Sequence, residues 1–198
     1  IWGDRIFLLT AVAIDPATGG VLAFVSKPGF DPNLFVDGID SLNWNELNNS
    51  PDKPLVNRAL NGTYPPGSTF KPYMALAGLT YGKRTPQQTI HDPGYFMFGG
   101  HQFRDSHPGG HGIVDMYKSI VKSSDTYYYM LANDLGIDAI ARFMAQFGFG
   151  SRTGIDIAGE AAGVLPSQEW KMRRFNQKWC AGETISIGIG QGYNSYTP

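Results

Sequence analysis

Along the chain, the apolar positions change their spacing several times, and each change marks a new element. Two near-continuous apolar runs, Leu8–Ile14 and Val21–Val25, flank the turn-rich cluster Asp15-Pro16-Ala17-Thr18-Gly19-Gly20. This arrangement predicts a hairpin from about Phe7 to Ser26. The lack of alternation predicts strands covered on both faces. From Lys27 to Thr63 the pattern dissolves into Pro, Asn, Asp and Gly with scattered aromatics, as in a long, mostly irregular connection. A helix is predicted from Ser68 to Tyr81, stopped by Gly82. Thr85 to Gly112 is again loop-rich and holds all four histidines.

Helical spacing dominates the rest. Ile113 to Ser123 predicts a helix with Val114, Tyr117, Ile120 and Val121 on its apolar face. Thr126 to Leu135 predicts a second, capped by Gly136. Ile137, Ile140, Ala141, Met144 and Phe147 follow the i, i+3, i+4, i+7 rule and end at Gly148. Ser167 is placed to cap a helix through Arg174, with Glu169 in the favourable first turn. So many helices against one hairpin are unbalanced, because an isolated two-stranded hairpin is marginal. Later sheet strands are therefore expected from beyond these residues. Pro198 reads as the opening of a helix, and the chain has neither an initiator methionine nor a signal peptide. Both ends read as those of a fragment.

Composition narrows the classes. With 198 residues, 42% hydrophobic and 17% charged, the chain suits one globular domain and not a disordered segment. Its net charge of −1 comes from mixed charges without a basic stripe, which gives no support to a nucleic-acid or anionic-membrane partner. The longest apolar run, Ile6 to Ile14, is broken by Thr10 and too short to cross a bilayer, so the chain is expected to be soluble. Cys180 stands alone, forms no internal disulfide, and is expected to be a buried apolar thiol.

Candidate chemistry begins with Ser-x-x-Lys, which occurs three times: Ser50–Lys53, Ser68–Lys71 and Ser119–Lys122. Ser50 precedes Pro51 in a polar loop. Ser119 falls inside a predicted helix, where neighbouring turns hem in its hydroxyl. Ser68 follows the rigid approach Tyr64-Pro65-Pro66-Gly67 and precedes Pro72, which is tolerated in a first helical turn. It therefore sits at a helix N-terminus with Lys71 one turn along the same face. A serine is a poor nucleophile until a base takes its proton. A lysine serves when neutral, and the helix dipole and burial both favour its neutral form. An N-cap serine beside a solvated lysine would carry the same letters. Ser123-Ser124-Asp125 lies between two predicted helices, where a serine can relay a proton and an aspartate can fix substrate or lysine. By itself that triplet is an ordinary helix cap. Gly188-Ile189-Gly190-Gln191-Gly192 lacks the lysine and the preceding strand of a phosphate loop. Tyr127-Tyr128-Tyr129 reads as helix packing.

Ser68-Thr69-Phe70-Lys71 paired with Ser123-Ser124-Asp125 resembles the first two motifs of penicillin-binding proteins and serine β-lactamases. Further segments are similar to landmarks of the class B transpeptidases, in the family's order. They are Ala13 to Gly20, Asn57-Arg58-Ala59, Tyr64 to Ser68, Thr153-Gly154-Ile155-Asp156 with Gly159-Glu160, and Gly190-Gln191-Gly192 with Thr197-Pro198. Lys27-Pro28-Gly29-Phe30-Asp31-Pro32-Asn33 and the Ser-Ser-Asp triplet resemble the elongation-specific branch of Gram-negative bacteria. The resemblance implies an α/β penicillin-binding fold, helix-rich with an N-terminal hairpin, and residues 1–198 as one partial transpeptidase domain.

It further implies a nucleophile at Ser68, a general base at Lys71, a proton relay at Ser123, and Asp125 in the usual Asn position. The implied reaction is transfer of a peptidoglycan stem peptide from D-Ala–D-Ala to a neighbouring amine, with β-lactams trapped on the serine. Implied partners are elongation-complex membrane proteins including a glycosyltransferase, on the periplasmic face of the inner membrane. A D,D-carboxypeptidase, a β-lactamase or a non-catalytic β-lactam-sensing or scaffold domain would share the motifs. The family's third motif, Lys-Thr/Ser-Gly, does not occur; Arg152-Thr153-Gly154 only imitates it. It is expected beyond Pro198, so the chain by itself should acylate slowly or not at all.

His91, Asp92, Asp105, His107 and His111 crowd the stretch before the second motif. Asp and His suit zinc, but the spacing matches no compact finger, and solvated loop residues would look the same. No cofactor is required by the implied reaction. Some relatives are implied to bind a structural zinc here, which would fall to Asp92, Asp105 and His111, with Ser124 where a cysteine ligand can stand.

Overall fold

A computed structural model describes residues 9–198. Phe7 and Leu8 of the expected hairpin lie outside them. The described chain forms two compact units.

The first comprises the chain up to Tyr64 with Gly154–Ala161 and Thr197–Pro198. Strands β1 (Leu9–Ile14) and β2 (Val21–Lys27) pair antiparallel, from Leu9 opposite Lys27 to Ile14 opposite Val21, with a bulge at Ala13/Ile14. Asp15 organises the turn. Its carboxylate accepts from the Ala17 N–H at 2.9 Å and the Thr18 hydroxyl at 2.8 Å. The strands are not covered on both faces as expected: Leu9, Ile14, Val21 and Leu22 are exposed, Leu22 at 73%. Each face of a two-stranded sheet needs another layer to cover it, and none of the described residues covers these positions. The connection that follows is not irregular throughout. A 3-10 turn, Pro32–Phe35, is capped by Asp31, and helix α1 (Ser41–Asn49) is capped by Asp40. Asp40 accepts from the N–H groups of Leu42 and Asn43 at 2.9 and 3.1 Å. Helix α1 buries no residue, so it leaves no apolar stripe to read.

The second unit comprises Pro65–Thr153 and Ala162–Tyr196. A 3-10 turn, Gly67–Phe70, leads into α2 (Lys71–Thr80), which stops at Gly82 as expected, with φ +63. The supposed loop region holds four short strands, β3 (Ile90–Asp92), β4 (Tyr95–Phe98), β5 (His101–Arg104) and β6 (Gly112–Val114). They form two antiparallel ladders, β3–β6 and β4–β5. Helix α3 (Met116–Val121) starts later than expected, because Ile113 and Val114 belong to β6 and Asp115 caps the helix on Lys118 N–H. Its buried face is Met116 and Ser119. Tyr117, Ile120 and Val121 face outward, Tyr117 at 77% exposure.

Helices α4 (Asp125–Leu135), α5 (Ile137–Ala145) and α6 (Gln168–Phe175) fall where the spacing put them, and α7 (Ala181–Ile187) was not anticipated. Tyr127, Tyr128, Leu131 and Ala132 of α4 are fully buried among Phe70, Met74, Ala77, Ile140, Met144, Ile185 and Ile187. Each large apolar side chain in such a core contributes about 1.5–3 kcal/mol. Where α7 meets α4, a Cβ on Gly188 would lie 2.5 Å from the Tyr128 carbonyl oxygen, so only glycine permits the approach. Cys180 is exposed at the start of α7, not buried. Near the end of the unit, Ser195 bridges to Val164. The whole is a mixed α/β, helix-rich structure. Among the described residues no helix is long and apolar enough to cross a membrane.

Candidate active site

Ser68 is presented by the 3-10 turn that opens α2. Gly67 supplies the left-handed backbone, φ +58, that the approach needs. Phe70 anchors the turn in the core at 0% exposure while Ser68 stays exposed. One residue after Phe70, Lys71 turns inward and is 2% exposed. The second strip comes from the join of α3 and α4. Ser123 occupies this corner with φ +54, and Ser124 caps α4 on Tyr127 N–H.

These elements bring Ser68, Lys71, Ser123 and Asp125 together. Lys71 Nζ donates to the Ser123 carbonyl at 2.6 Å, to Ser123 Oγ at 3.0 Å and to Asp125 Oδ1 at 2.5 Å. The three oxygens match the three protons of an ammonium. Nζ also lies 5.7 Å from the centre of the Tyr128 ring. Ser123 Oγ is 2.9 Å from Ser68 Oγ. The hydroxyls therefore form a chain, Ser68–Ser123–Lys71, with Asp125 behind the lysine. The sequence suggested a direct pair between Ser68 and Lys71, but the structure puts Ser123 between them. Asp125 Oδ2 accepts from the Ser106 N–H at 3.2 Å. That contact has no linear signature, since Ser106 lies in the turn after β5.

The two decoys separate as expected. Ser119 is fully buried and donates to the Met116 carbonyl at 2.7 Å. Ser50 serves its own loop, accepting from Asp52 N–H at 3.3 Å.

Beside the Ser68–Ser123–Lys71 cluster, Asp92, Asp105 and His111 place ligand atoms within 4.8 Å of one another. Asp92 is 1% exposed and accepts from Ser124 Oγ at 2.8 Å. Burial works against the charge of Asp105, but N–H groups of Thr126 and His107 and the nearby His111 hold its carboxyl below the usual range. His111 Nε2 is buried without a hydrogen-bond partner, 3.8 Å from Asp105 Oδ1. Two carboxylates and an orphaned imidazole nitrogen fit a cation such as zinc. His91 and His107 do not join this group.

An exposed serine at a helix start, tied through a second serine to a buried lysine–carboxylate pair, is an arrangement chemically suited to serine acyl transfer. Residues 9–198 match the penicillin binding protein transpeptidase domain, and the chain belongs to that family. Among curated relatives, the peptidoglycan D,D-transpeptidase MrdA of Acinetobacter baumannii is 53% identical over 189 residues, 94% of this chain and 28% of that protein. The crystal structure of Pseudomonas aeruginosa PBP2 in complex with WCK 5153 superposes with a TM-score of 0.91 at 50% identity, covering 96% of this chain and 42% of that one. PBP2 of Helicobacter pylori, solved in a complex with MreC, superposes at 0.92 and 36% identity, covering 96% and 36%. The chain thus spans under a third of the curated relative's length.

Proposed function

We propose that the chain carries the acylating site of a peptidoglycan D,D-transpeptidase that cross-links stem peptides during cell-wall elongation. The observation that carries this reading is the unbroken hydroxyl chain from Ser68 through Ser123 to Lys71. Ser68 Oγ attacks the carbonyl carbon of the D-Ala–D-Ala bond, and its proton passes through Ser123 Oγ to Lys71 Nζ. Lys71 can accept only after one of its own protons has moved to Asp125 Oδ1, which an asparagine there would not take up. Backbone N–H groups at the helix start would help to stabilise the oxyanion. Collapse of the tetrahedral intermediate breaks the C–N bond, and the departing D-Ala takes a proton back along the same chain. An amine from a neighbouring strand then displaces Ser68. A β-lactam acylates in the same way, but its leaving nitrogen stays tethered and the ester persists.

The Lys-Thr/Ser-Gly element belongs to this mechanism and does not occur in the 198 residues. If it contributes one oxyanion donor, a polypeptide limited to these residues acylates about 10²–10³-fold more slowly than one carrying the motif. Residues 1–198 are then part of a transpeptidase domain. The substrate puts the site on the periplasmic face of the inner membrane. The MreC complex of the Helicobacter pylori relative supports elongation-complex membrane proteins as partners, a glycosyltransferase among them.

Asp92, Asp105 and His111 would hold a structural zinc, which when bound clamps the β3, β5 and β6 region. Ser124 stays a cap on α4 and contributes no thiolate. Zinc should raise the thermal midpoint of metal-free wild-type protein and leave His111→Ala unmoved.

The reading is tested by intact mass with and without penicillin in full-length protein, followed by peptide mapping. One penicillin should add, on Ser68, and Ser68→Ala should take up none. A folded protein that takes up no penicillin, or takes it up elsewhere, would refute the assignment. Hydrolysis of a chromogenic β-lactam at catalytic rates would turn it towards a lactamase.

A further inference from the structure

The turn after α7 lies against the residue preceding Ser68. Gly67 N–H donates to the Gly190 carbonyl at 3.0 Å. The approach is so close that a Cβ on Gly190 would run into Gly67 O and lie 2.8 Å from Gly67 N and 2.9 Å from Phe70 Cβ. The turn is itself tied at both sides. Asn194, 1% exposed, donates through Nδ2 to the Ile187 carbonyl at 3.2 Å and the Gln191 carbonyl at 3.0 Å. Its Oδ1 accepts from Tyr196 OH at 2.8 Å. Tyr196 in turn stacks on Phe70, ring centres 6.4 Å apart. Both ends of the Gly67–Phe70 turn are therefore held by this one segment: Gly67 through the Gly190 carbonyl and Phe70 through Tyr196.

We propose that the Ile187–Gln191 turn, stapled by Asn194, fixes the backbone that presents the nucleophile, with Gly190 and Asn194 as positioning residues for Ser68. The inference rests on Ser68 being the acylated residue. Neither glycine nor asparagine touches the reacting atoms. Their effect is to set where Ser68 Oγ stands relative to Ser123 Oγ, and the hydroxyl chain tolerates little displacement at its 2.9 Å contact. A Cβ on Gly190 forces Gly67 and Phe70 to move by something near an ångström, and a displacement of that size at a reacting group costs on the order of 100-fold.

The test measures penicillin acylation of full-length protein, separating the non-covalent binding constant from the limiting acylation rate. Gly190→Ala should lower the limiting rate by on the order of 100-fold with the binding constant nearly unchanged. Gly192→Ala is the matched comparison. Its φ is +70, the same as that of Gly190, but its Cβ would meet only Ile187 and Ser186 side chains, at 3.3 and 3.6 Å. It should lose stability while keeping its acylation rate.

If Gly190→Ala fails to fold, Asn194→Asp keeps the shape, removes the bridging N–H groups, and should show the same selective loss of rate. Acylation at the wild-type rate in either folded variant would overturn the proposal, as would an equal slowing by Gly192→Ala. Wild-type protein left unlabelled at Ser68 would instead remove the transpeptidase reading on which the inference stands.

Discussion

Ser123 holds a left-handed backbone, φ +54, which costs a residue with a side chain about 1–2 kcal/mol relative to glycine. The corner persists because Ser123 is gripped at two points, its carbonyl and its hydroxyl both accepting from Lys71. Strain at this position is the counterpart of bringing the Ser123 hydroxyl within reach of Ser68. Two substitutions separate the effects. Ser123→Ala and Ser123→Gly both delete the hydroxyl and should slow acylation by about 10²–10⁴-fold, the scale of a lost proton-transfer group. Only the glycine variant relaxes the backbone, so it should be the more stable of the two by about 1 kcal/mol. Denaturant titration of the pair checks this. Equal stability would mean that the corner is not strained.

Helix starts show how far local sequence governs the elements. Asp115 accepts from Lys118 N–H at 2.7 Å and decides that α3 begins at Met116, although the apolar spacing begins at Ile113. Asp115→Ala should cost about 1 kcal/mol, read as a lower urea midpoint with an unchanged slope. The same comparison explains what the sequence made legible. α4, α5 and α6 carry an apolar stripe or clear caps, and their bounds agree with the pattern to within a residue or two. α1 has a good cap but no buried face, so periodicity passes over it. β4 and β5 were readable in principle, since Phe98 and His101 flank Gly99-Gly100, both at positive φ, a hairpin signal within loop-like text. Strands β3 and β6 have three residues each, too short for any alternation to register.

The juxtaposition of Ser68, Lys71, Ser123 and Asp125 was legible because two short motifs carry them. The contacts of Ser106, Gly190 and Asn194 were not, because they run through backbone atoms or join segments far apart in the chain.

At the scale of the whole molecule, the second unit is organised around phenols that burial keeps neutral. Desolvation pushes Tyr128 up to about 12 and raises Tyr127, Tyr129 and Tyr196 as well. In the unfolded chain each of these groups loses its proton near pH 10. Between that pH and the folded values the native state binds more protons than the unfolded one, so stability falls as pH rises, by about 1.4 kcal/mol per pH unit for each phenol involved. Lys171, raised by the hydrogen bond it donates to Glu183, acts in the same direction at the top of this range, because its contribution is lost as pH climbs through the folded value. The melting temperature should therefore be flat from pH 7 to 9 and drop steeply above 10. Tyr128→Phe, which has no proton to lose, should start lower, since Ser119 Oγ loses its 3.0 Å partner, yet fall less steeply. Parallel curves for the two proteins would show that this phenol does not set the alkaline limit.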